Sequence, residues 1–424
     1  MGPRKLVDDC FRTDSERMRH SDAIALLRSR VSPITAPETV PLAEASGRVI
    51  AAPILSPRPV PAFTNAAVDG YAFAHRDATQ AATEGLPIFG RVAAGHALQS
   101  VAPTGRAVRI FTGAPLPDVA DTVAMQEDCT LSDDGGRVII PSGLKPGANV
   151  RKAGEDVAQG APLFERGSTI RPQDIAALAS IGLTEVPAFA RLRLAVLSSG
   201  DEVVRPGTPL DYGQVYDANA PMISALARSA GCMVTDLGIA ADRTADIERL
   251  LAEAAGRFDV IVTSGGASRG EEDHMVAALE RLGSRHMWQL AIKPGRPMAF
   301  GQIGDTVVLG LPGNPVAVFV CFLLYAWPVL RALGGAGWSE PQRLQLPANF
   351  TFAGRKTGRR EYWRGRIITT ASGLAVEKFA RDGSGLISGL RWSEGLIEVP
   401  EDAGDVHPGQ SLDFIPFSEY GIIG

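Results

Sequence analysis

The stretch that decides the fold reads FDVIVTSGGASRGEEDH (258–274), LAIKPGRPMAF (290–300) and VVLGLPGNP (307–315). It opens with a short apolar run rich in β-branched residues, which predicts a buried strand that ends near Gly265 and Gly266. A helical pattern follows at 271–282. Because the N–H groups at a helix start favour negative charge, this loop suits an anion. A glycine pair after a strand is weak support alone, since an ordinary strand-to-helix turn has the same sequence.

Around this stretch, short apolar runs alternate with amphipathic helical patterns. The alternation predicts a doubly wound α/β domain over residues 191–338. Such sheets bind ligands beyond the carboxyl ends of their strands, and here polar, glycine-rich loops follow those ends. We expect strands at 192–197, 233–239, 258–262, 286–292 and 306–310, and helices at 221–229, 244–255, 271–282 and 316–333.

The rest of the chain divides into three regions. An amphipathic helix and a proline-rich segment indicate an elongated connector domain over residues 1–60 and 150–190. Between them, residues 61–149 contain short β-type runs separated by Gly, Pro and Asp clusters, which predicts an inserted β-rich domain. Residues 339–424 predict a C-terminal β domain. The expected fold is therefore a multidomain α/β plus β protein.

Composition limits the function. A length of 424 residues exceeds the size of one hydrophobic core. The formal net charge of −5 argues against nucleic-acid binding by the whole surface, so an anionic ligand must meet local positive charge. The four cysteines form no C-x-x-C pair, and the N-terminus lacks an apolar signal segment. The apolar run at 315–330 is shorter than the roughly 20 residues that span a bilayer. We expect a cytoplasmic protein without membrane or nucleic-acid partners.

Acidic residues fall at the predicted ligand-facing ends, namely Glu202, Asp217, Asp242 and Asp273. Carboxylates that converge on one cleft would form an oxygen site for Mg²⁺, which keeps waters and is shared with substrate phosphates. Each residue alone could instead cap a helix or a turn, and Asp217 precedes a predicted helix. Only the group as a whole indicates a metal.

Two cations, Lys293 and Arg296, lie at the end of a predicted strand. Their turn is stiffened by two prolines and bent at Gly295. The lysine supplies a point charge and the arginine a fork that fits phosphate or another oxyanion, although basic surface turns are common. The LPGNP turn at 311–315 is both a structural elbow and a candidate binding loop. No nucleophile-elbow motif supports a Ser-His-Asp hydrolase.

A series of short motifs follows in order along nearly the whole chain. They are AVDGYA (67–72), TGAPLP (112–117), QED (126–128), RKAGED (151–156), SGDE (199–202), YDAN (216–219), and the segments 264–273, 293–297 and 311–315. Together these motifs closely resemble the molybdopterin molybdenumtransferases, the family that includes the gephyrin E domain.

The resemblance implies a homodimer of elongated four-domain subunits whose active site faces a cleft completed by the partner. It also implies a reaction in which adenylylated molybdopterin and molybdate give molybdenum cofactor and AMP, with Mg²⁺. Further implied partners are a molybdopterin adenylyltransferase and the apo-molybdoenzymes, in transient contacts. Rival functions are molybdopterin adenylylation, whose proteins are mostly the α/β domain alone, and a non-catalytic gephyrin-like scaffold.

Residue roles also follow from the resemblance. Asp242 and Asp273 would hold Mg²⁺ and, with Glu202 and Lys293, carry catalysis. Asp69 and Thr112 would reach the cleft across the dimer. Ser388 and one arginine from Arg359, Arg360 or Arg364, with Arg359 preferred, would complete an oxyanion pocket. The substrate would also contact Asp217, Ser264, Gly265, Gly266, Ser268, Lys293, Arg296, Pro297, Pro312, Gly313, Asn314 and Pro315. Arg296 and Gln289 stand where relatives often have Lys, so any role of a lysine at 289 is lost.

Overall fold

The computed structural model describes residues 17–265, 274–295 and 297–422. Strands predominate in the first half of the chain, where Gly, Pro and Asp clusters interrupt the apolar runs. Its elements are α1 (His20–Arg30), β1 (Pro37–Pro41), β2 (Ile54–Leu55), β3 (Asn65–Ala66), β4 (Gly70–Phe73), α2 (Ala78–Thr83), β5 (Leu86–Val92), β6 (Ala107–Ile110), β7 (Thr122–Met125), β8 (Thr130–Leu131), β9 (Arg137–Ile139), β10 (Val150–Arg151), β11 (Pro162–Phe164), α3 (Pro172–Ser180) and β12 (Glu185–Phe189).

The second half alternates strands and helices and then ends in strands. Its elements are β13 (Arg193–Ser199), β14 (Val203–Val204), β15 (Val215–Tyr216), α4 (Asn219–Ser229), β16 (Met233–Ala240), α5 (Thr244–Ala254), β17 (Val260–Ser264), α6 (His274–Leu282), β18 (Ser284–Gln289), β19 (Ile292–Lys293), β20 (Pro297–Ile303), β21 (Thr306–Leu311), α7 (Pro315–Cys321), α8 (Trp327–Leu333), β22 (Leu344–Pro347), β23 (Arg360–Thr370), β24 (Gly373–Lys378), α9 (Ile387–Trp392), β25 (Gly395–Val399) and β26 (Ser411–Pro416).

Two stretches of chain pair with each other, one before and one after an inserted sheet in the sequence. β1 pairs antiparallel with β12, and β2 pairs antiparallel with β11. Ile50, Leu178 and Val186 lie in the small core between these stretches. The intervening chain forms a six-stranded sheet in the order β7-β4-β6-β5-β9-β8, with apolar clusters of its own. The chain therefore leaves the first core, builds a separate sheet and returns.

The α/β domain has a mixed six-stranded sheet in the order β16-β13-β17-β21-β20-β18. The pairs β16-β13, β13-β17 and β17-β21 are parallel, and β20 and β18 extend the sheet antiparallel. The predicted strand at 286–292 was wrong as one element, since it divides into β18 and β19. Strand β20 was not predicted, because its sequence PMAFGQI contains Pro and Gly and has little strand propensity. Pairing with both neighbours makes it a strand.

The apolar run after β21 forms α7, a π-helical turn (Phe322–Ala326) and α8. Pro315–Leu333 is long and apolar enough to cross a membrane, but 89% of its apolar window is buried within the fold. It packs against the α/β sheet and also against Tyr362, Leu396 and Ile415 from the C-terminal strands. This segment is therefore a core helix that joins two domains.

The C-terminal sheet has the order β19-β23-β25-β26-β22, and β24 pairs with β23. Its first strand, β19, comes from the α/β part of the chain and carries Lys293. Ile292 and Lys293 pair parallel with Arg360 and Glu361. The lysine-bearing turn is therefore held by backbone hydrogen bonds to the C-terminal domain, which places the candidate site between the two domains.

Candidate functional site

Loops at the carboxyl ends of the parallel strands contact one another. Asn219, at the start of α4, donates from Nδ2 to Ser264 Oγ at 2.8 Å and to Gly313 O at 2.6 Å. Gly265 has a φ of +92°, and a Cβ there would lie 2.8 Å from Ser199 O. Only glycine lets the loop after β17 approach the end of β13 this closely. The loops after β13, β17 and β21 therefore form one continuous edge.

Buried polar atoms without partners lie along this edge. Ser198 Oγ, Thr263 Oγ1 and Asn219 Oδ1 accept or donate no hydrogen bond among the described residues. Buried polar groups in proteins are nearly always hydrogen-bonded, so each unpaired atom requires an explanation. Any partner of these atoms is therefore a ligand, a water or a residue outside the described part of the chain. Sequence reasoning did not select these three residues, although Ser198 and Thr263 follow apolar strand runs and Asn219 ends the YDAN motif.

Two carboxylates meet at the ends of β13 and β16. The backbone N–H of Asp242 donates to Asp201 Oδ1 at 3.0 Å, and that of Asp201 donates to Asp242 Oδ2 at 3.4 Å. Sequence reasoning did not select Asp201 as a site residue, although it lies in the SGDE motif beside Glu202. The Glu202 carboxylate lies over Gly200, where a Cβ would be 2.6 Å from Glu202 Oε2. The acidic corner therefore joins Asp201 and Asp242, and Glu202 is the next residue in the same loop.

Asp217 has a structural role. Its side chain is buried, and its Oδ1 accepts the N–H groups of Asn219 at 3.1 Å and Ala220 at 3.0 Å. Its Oδ2 lies 3.4 Å from Arg205 Nη1. Asp217 therefore ties down the start of α4, which is the helix-capping alternative that the sequence left open. It contributes to the site by fixing the helix that carries Asn219.

The acidic corner suits Mg²⁺ by its donor chemistry. Mg²⁺ commonly takes one or two carboxylates and completes its shell with waters and substrate phosphates, and Asp201 and Asp242 offer such oxygens. A cluster of three or more His, Cys, Asp and Glu residues placed to hold a metal does not occur within the described part of the chain. Four predicted site residues lie outside the described residues: Gly266, Ser268, Asp273 and Arg296.

A cavity of about 560 Å³ lies between the α/β domain and the C-terminal domain. Lys293 forms part of its wall, with its side chain 40% exposed and its Nζ 3.5 Å from Glu361 Oε2. Gly295 has a φ of +100°, and a Cβ there would overlap Cys321 Sγ. The bend predicted at Gly295 therefore lets the lysine turn press onto α7. The wall also includes the predicted residues Pro297, Pro312, Gly313 and Asn314.

Among the described residues, the C-terminal side of the cavity contains one of the three arginines that the resemblance implied, but not Ser388. Arg364 lies in the wall and donates to Leu386 O at 2.7 Å and to Arg381 O at 2.9 Å. Arg359 instead pairs with Glu361, and Arg360 pairs with Glu398 and Glu401. Ser384 lies in the wall, whereas Ser388 is exposed on α9. The cavity therefore presents Arg364 and Ser384 rather than Arg359 and Ser388.

Asp69 and Thr112 bind each other within the inserted sheet. Asp69 Oδ1 accepts the Thr112 hydroxyl at 2.6 Å and the Thr112 N–H at 2.7 Å, and these bonds lower the pKa of Asp69. Among the described residues that line the cavity, none comes from the inserted sheet. Within a single chain, the pair is therefore formed away from the cavity. Pro315 begins α7 at the cavity's edge.

Three family profiles match successive parts of the chain. They are "MoeA N-terminal region (domain I and II)" at residues 18–182, "Probable molybdopterin binding domain" at 195–332 and "MoeA C-terminal region (domain IV)" at 345–417. With the mixed sheet, the inserted domain and the C-terminal sheet, they define the class as a multidomain protein of the MoeA fold around a molybdopterin-binding domain.

Individual relatives narrow this class. The "Molybdopterin molybdenumtransferase" of Haemophilus influenzae is 37% identical over 386 residues, which cover 91% of this chain and 95% of that protein. The "Molybdopterin molybdenumtransferase 2" of Mycobacterium tuberculosis is 33% identical over 390 residues, covering 89% and 94%. A solved "molybdopterin biosynthesis moeA protein" of Pyrococcus horikoshii has a TM-score of 0.80 at 26% identity and covers 95% and 100%. The chain belongs to the molybdopterin molybdenumtransferase family.

Family membership confirms several predictions from the motifs. The chain is a transferase of molybdenum cofactor biosynthesis that acts on molybdopterin, and its multidomain α/β plus β fold is as expected. Matches across all three regions do not fit the adenylyltransferase alternative, whose proteins are mostly the α/β domain alone. The roles of individual residues and the need for Mg²⁺ stay predictions.

Proposed function

We propose that this chain inserts molybdate into adenylylated molybdopterin and releases AMP. The observation that carries the proposal is the continuity between a cationic cavity and a polar sheet edge. Gly313 lies in the cavity wall, and its carbonyl oxygen binds Asn219, which also binds Ser264 on the sheet edge. A ligand with a nucleotide phosphate on the edge and an oxyanion beside Lys293 would use both parts.

Charge explains why the reaction needs these residues. Molybdate and a phosphate-linked substrate are both anions, so their approach is opposed by repulsion until cations neutralise it. Lys293 and Arg364 supply positive charge on the cavity side, and the predicted Arg296 would add to it. Asp201, Asp242 and the predicted Asp273 would hold Mg²⁺, which would stabilise charge on the phosphate linkage as AMP leaves.

We also propose that the protein acts as a homodimer in the cytoplasm. Asp69 and Thr112 form an ordered pair that lies away from the cavity of their own chain, which fits contact with a partner's cleft. Transient contact with a molybdopterin adenylyltransferase would deliver the substrate. Transient contact with apo-molybdoenzymes would pass the product to them.

The test is AMP release from adenylylated molybdopterin by the purified full-length protein. Mg²⁺ is titrated in the presence and absence of molybdate, and the product is added to an apo-molybdoenzyme. We expect release that requires both ions and a product that restores enzyme activity. Molybdate-independent release, or release without an activating product, contradicts the proposal. Formation of adenylylated molybdopterin from ATP would instead favour an adenylyltransferase.

A further inference from the structure

We propose that Glu361 is a positioning residue through which the C-terminal domain fixes Lys293 in the cavity wall. The inference rests on the proposed function, since it gives Lys293 the task of binding the oxyanion. Glu361 itself is not among the described residues that line the cavity. It would act on molybdate only through the lysine.

Backbone pairing first brings the two residues together. Strand β19 holds Ile292 and Lys293, and it pairs parallel with the start of β23. In that register Lys293 lies opposite Glu361. The Arg360 N–H also donates to Ala291 O at 2.9 Å. The lysine therefore belongs to the α/β domain in sequence but to the C-terminal sheet in hydrogen bonding.

Side-chain contacts then orient the lysine. The Glu361 side chain is 1% exposed, and its Oε2 lies 3.5 Å from Lys293 Nζ. It also accepts from Trp363 Nε1 at 2.9 Å and Arg359 Nε at 3.1 Å. Burial alone would raise the pKa of Glu361, but the Trp363 hydrogen bond and the Lys293 and Arg359 charges hold it below its usual value. The group is therefore a buried carboxylate.

This arrangement solves a problem of lysine chemistry. A lysine has a flexible four-carbon stem and a strongly hydrated ammonium, so by itself it does not present a fixed charge. Glu361 holds one side of the ammonium, while 40% of the Lys293 side chain stays exposed to the cavity. An oxyanion can therefore bind the exposed N–H donors of a cation that is already in place, which reduces the ordering cost of binding.

The same sheet provides a matched control. Glu398 on β25 is 3% exposed, and it accepts from Arg343 Nε and Arg360 Nη1, both at 2.7 Å. It lies opposite Tyr362 in the β23-β25 pairing, whereas Glu361 lies opposite Val399. Because side chains alternate along a strand, the two carboxylates point to opposite faces. Glu398 therefore matches Glu361 in burial and arginine pairing, but its ion pairs are with Arg343 and Arg360 rather than with Lys293.

The experiment compares Glu361→Gln and Glu398→Gln in the full-length protein. Thermal unfolding and molybdate-dependent AMP release are measured for both. We expect Glu361→Gln to raise the KM for molybdate by about tenfold, which is a typical effect of removing a group that orients a ligand-binding residue. Glu398→Gln should lower Tm and leave that KM unchanged. A like rise in KM for both variants would overturn the inference.

A double variant tests whether Glu361 acts through the lysine. In a Lys293→Ala background, Glu361→Gln should cause no further rise in the KM for molybdate, and a further rise would mean a purely structural role. Should Glu361→Gln not fold, Glu361→Asp keeps the charge but withdraws it from Nζ, and it should give a smaller rise. No rise in Glu361→Asp would then count against the inference. Absence of any molybdate response in the unmodified protein would instead reject the proposed function.

Discussion

The two parts of the site differ in how their polar groups are satisfied. At the sheet edge, Ser198 Oγ, Thr263 Oγ1 and Asn219 Oδ1 are buried without a partner among the described residues. In the cavity, Lys293 lies beside Glu361, and Arg364 donates to two backbone carbonyl oxygens. These atoms are left for a ligand, for water or for residues outside the described part of the chain to pair with, whereas the cavity cations are oriented before a ligand arrives.

That difference separates two kinds of recognition. An unpaired buried polar group costs about 1–3 kcal/mol in the free protein, and a substrate that pairs with it recovers this free energy on binding. Cations that are already oriented stabilise negative charge on the ligand, and they need little reorganisation when the ligand binds. We therefore expect changes at the edge to alter substrate-dependent stability, and changes in the cavity to alter kcat/KM for molybdate.

The largest expected effect comes from removing the cavity cation. Lys293→Ala should lower kcat/KM for molybdate by about 100-fold to 1,000-fold, because it removes a preorganised positive charge. Tm should change little, since Glu361 keeps Arg359 as a partner. Steady-state AMP release with varied molybdate measures the effect. Lys356→Ala, at an exposed lysine of the C-terminal domain, is the control. A kcat/KM equal to that of the control would show that the cavity charge is unimportant.

A smaller effect is expected at the acidic corner. Asp242→Asn should raise the Mg²⁺ concentration needed for half-maximal activity by about tenfold, because an amide oxygen is a weaker ligand than a carboxylate. The readout is AMP release in a Mg²⁺ titration at saturating molybdate. Asp246→Asn, which removes a nearby surface carboxylate paired with Arg243, should leave the titration unchanged. Identical Mg²⁺ curves for both variants would place the metal elsewhere.

The third prediction concerns the shape of the lysine turn. Gly295→Ala should destabilise the protein by about 2–3 kcal/mol, because the new Cβ meets Cys321 Sγ and the left-handed backbone disfavours alanine. Gly304→Ala shares the positive φ, but a Cβ there meets nothing within 4 Å, so it should cost about 1 kcal/mol. Differential scanning calorimetry compares the two. Equal shifts in Tm would mean that the close approach to α7 does not matter.

The smallest effect sharpens the comparison most directly. Ser198→Ala removes an unpaired buried hydroxyl, so the free energy of unfolding of the free protein should stay the same or rise by about 1 kcal/mol, and its Tm should not fall. The rise in Tm on adding adenylylated molybdopterin should become smaller. Ser56→Ala removes a hydroxyl that donates to Arg58 O at 2.6 Å, so it should lower the Tm of the free protein. A substrate-induced rise that is unchanged in Ser198→Ala would remove this hydroxyl from the site.

Much of the site could be predicted because local chemistry marks it. Gly265 and Gly295 have the backbone conformations that favour glycine, and the residues after parallel strands meet at one edge of the sheet. Lys293 was therefore placed in a cation-bearing turn from sequence alone. Asp201 was not, because one carboxylate in a polar loop has no distinctive pattern. Its role emerges only from its reciprocal hydrogen bonds with Asp242.

The C-terminal half of the cavity could not be predicted for a physical reason. Strand β23 is buried on both faces over much of its length, so it lacks the alternation of apolar and polar residues that reveals which side chains point where. Which of Arg359, Arg360 and Arg364 lines the cavity therefore depends on where each guanidinium finds its acceptors in the fold, such as Leu386 O and Arg381 O for Arg364. Strand β20 was missed for a similar reason, because pairing rather than propensity makes it a strand.

By itself, the sequence determined the family, the α/β sheet with its glycine and proline turns, and the cation at Lys293. These depend on backbone conformations and charges that lie close together along the chain. Only the tertiary structure decided that Glu361 holds this lysine, that Arg364 lines the cavity and that Asp217 is a buried cap. The first two assignments depend on which atoms lie close together between separate segments of the chain, and the third depends on which local acceptor the start of α4 uses. A linear pattern specifies neither.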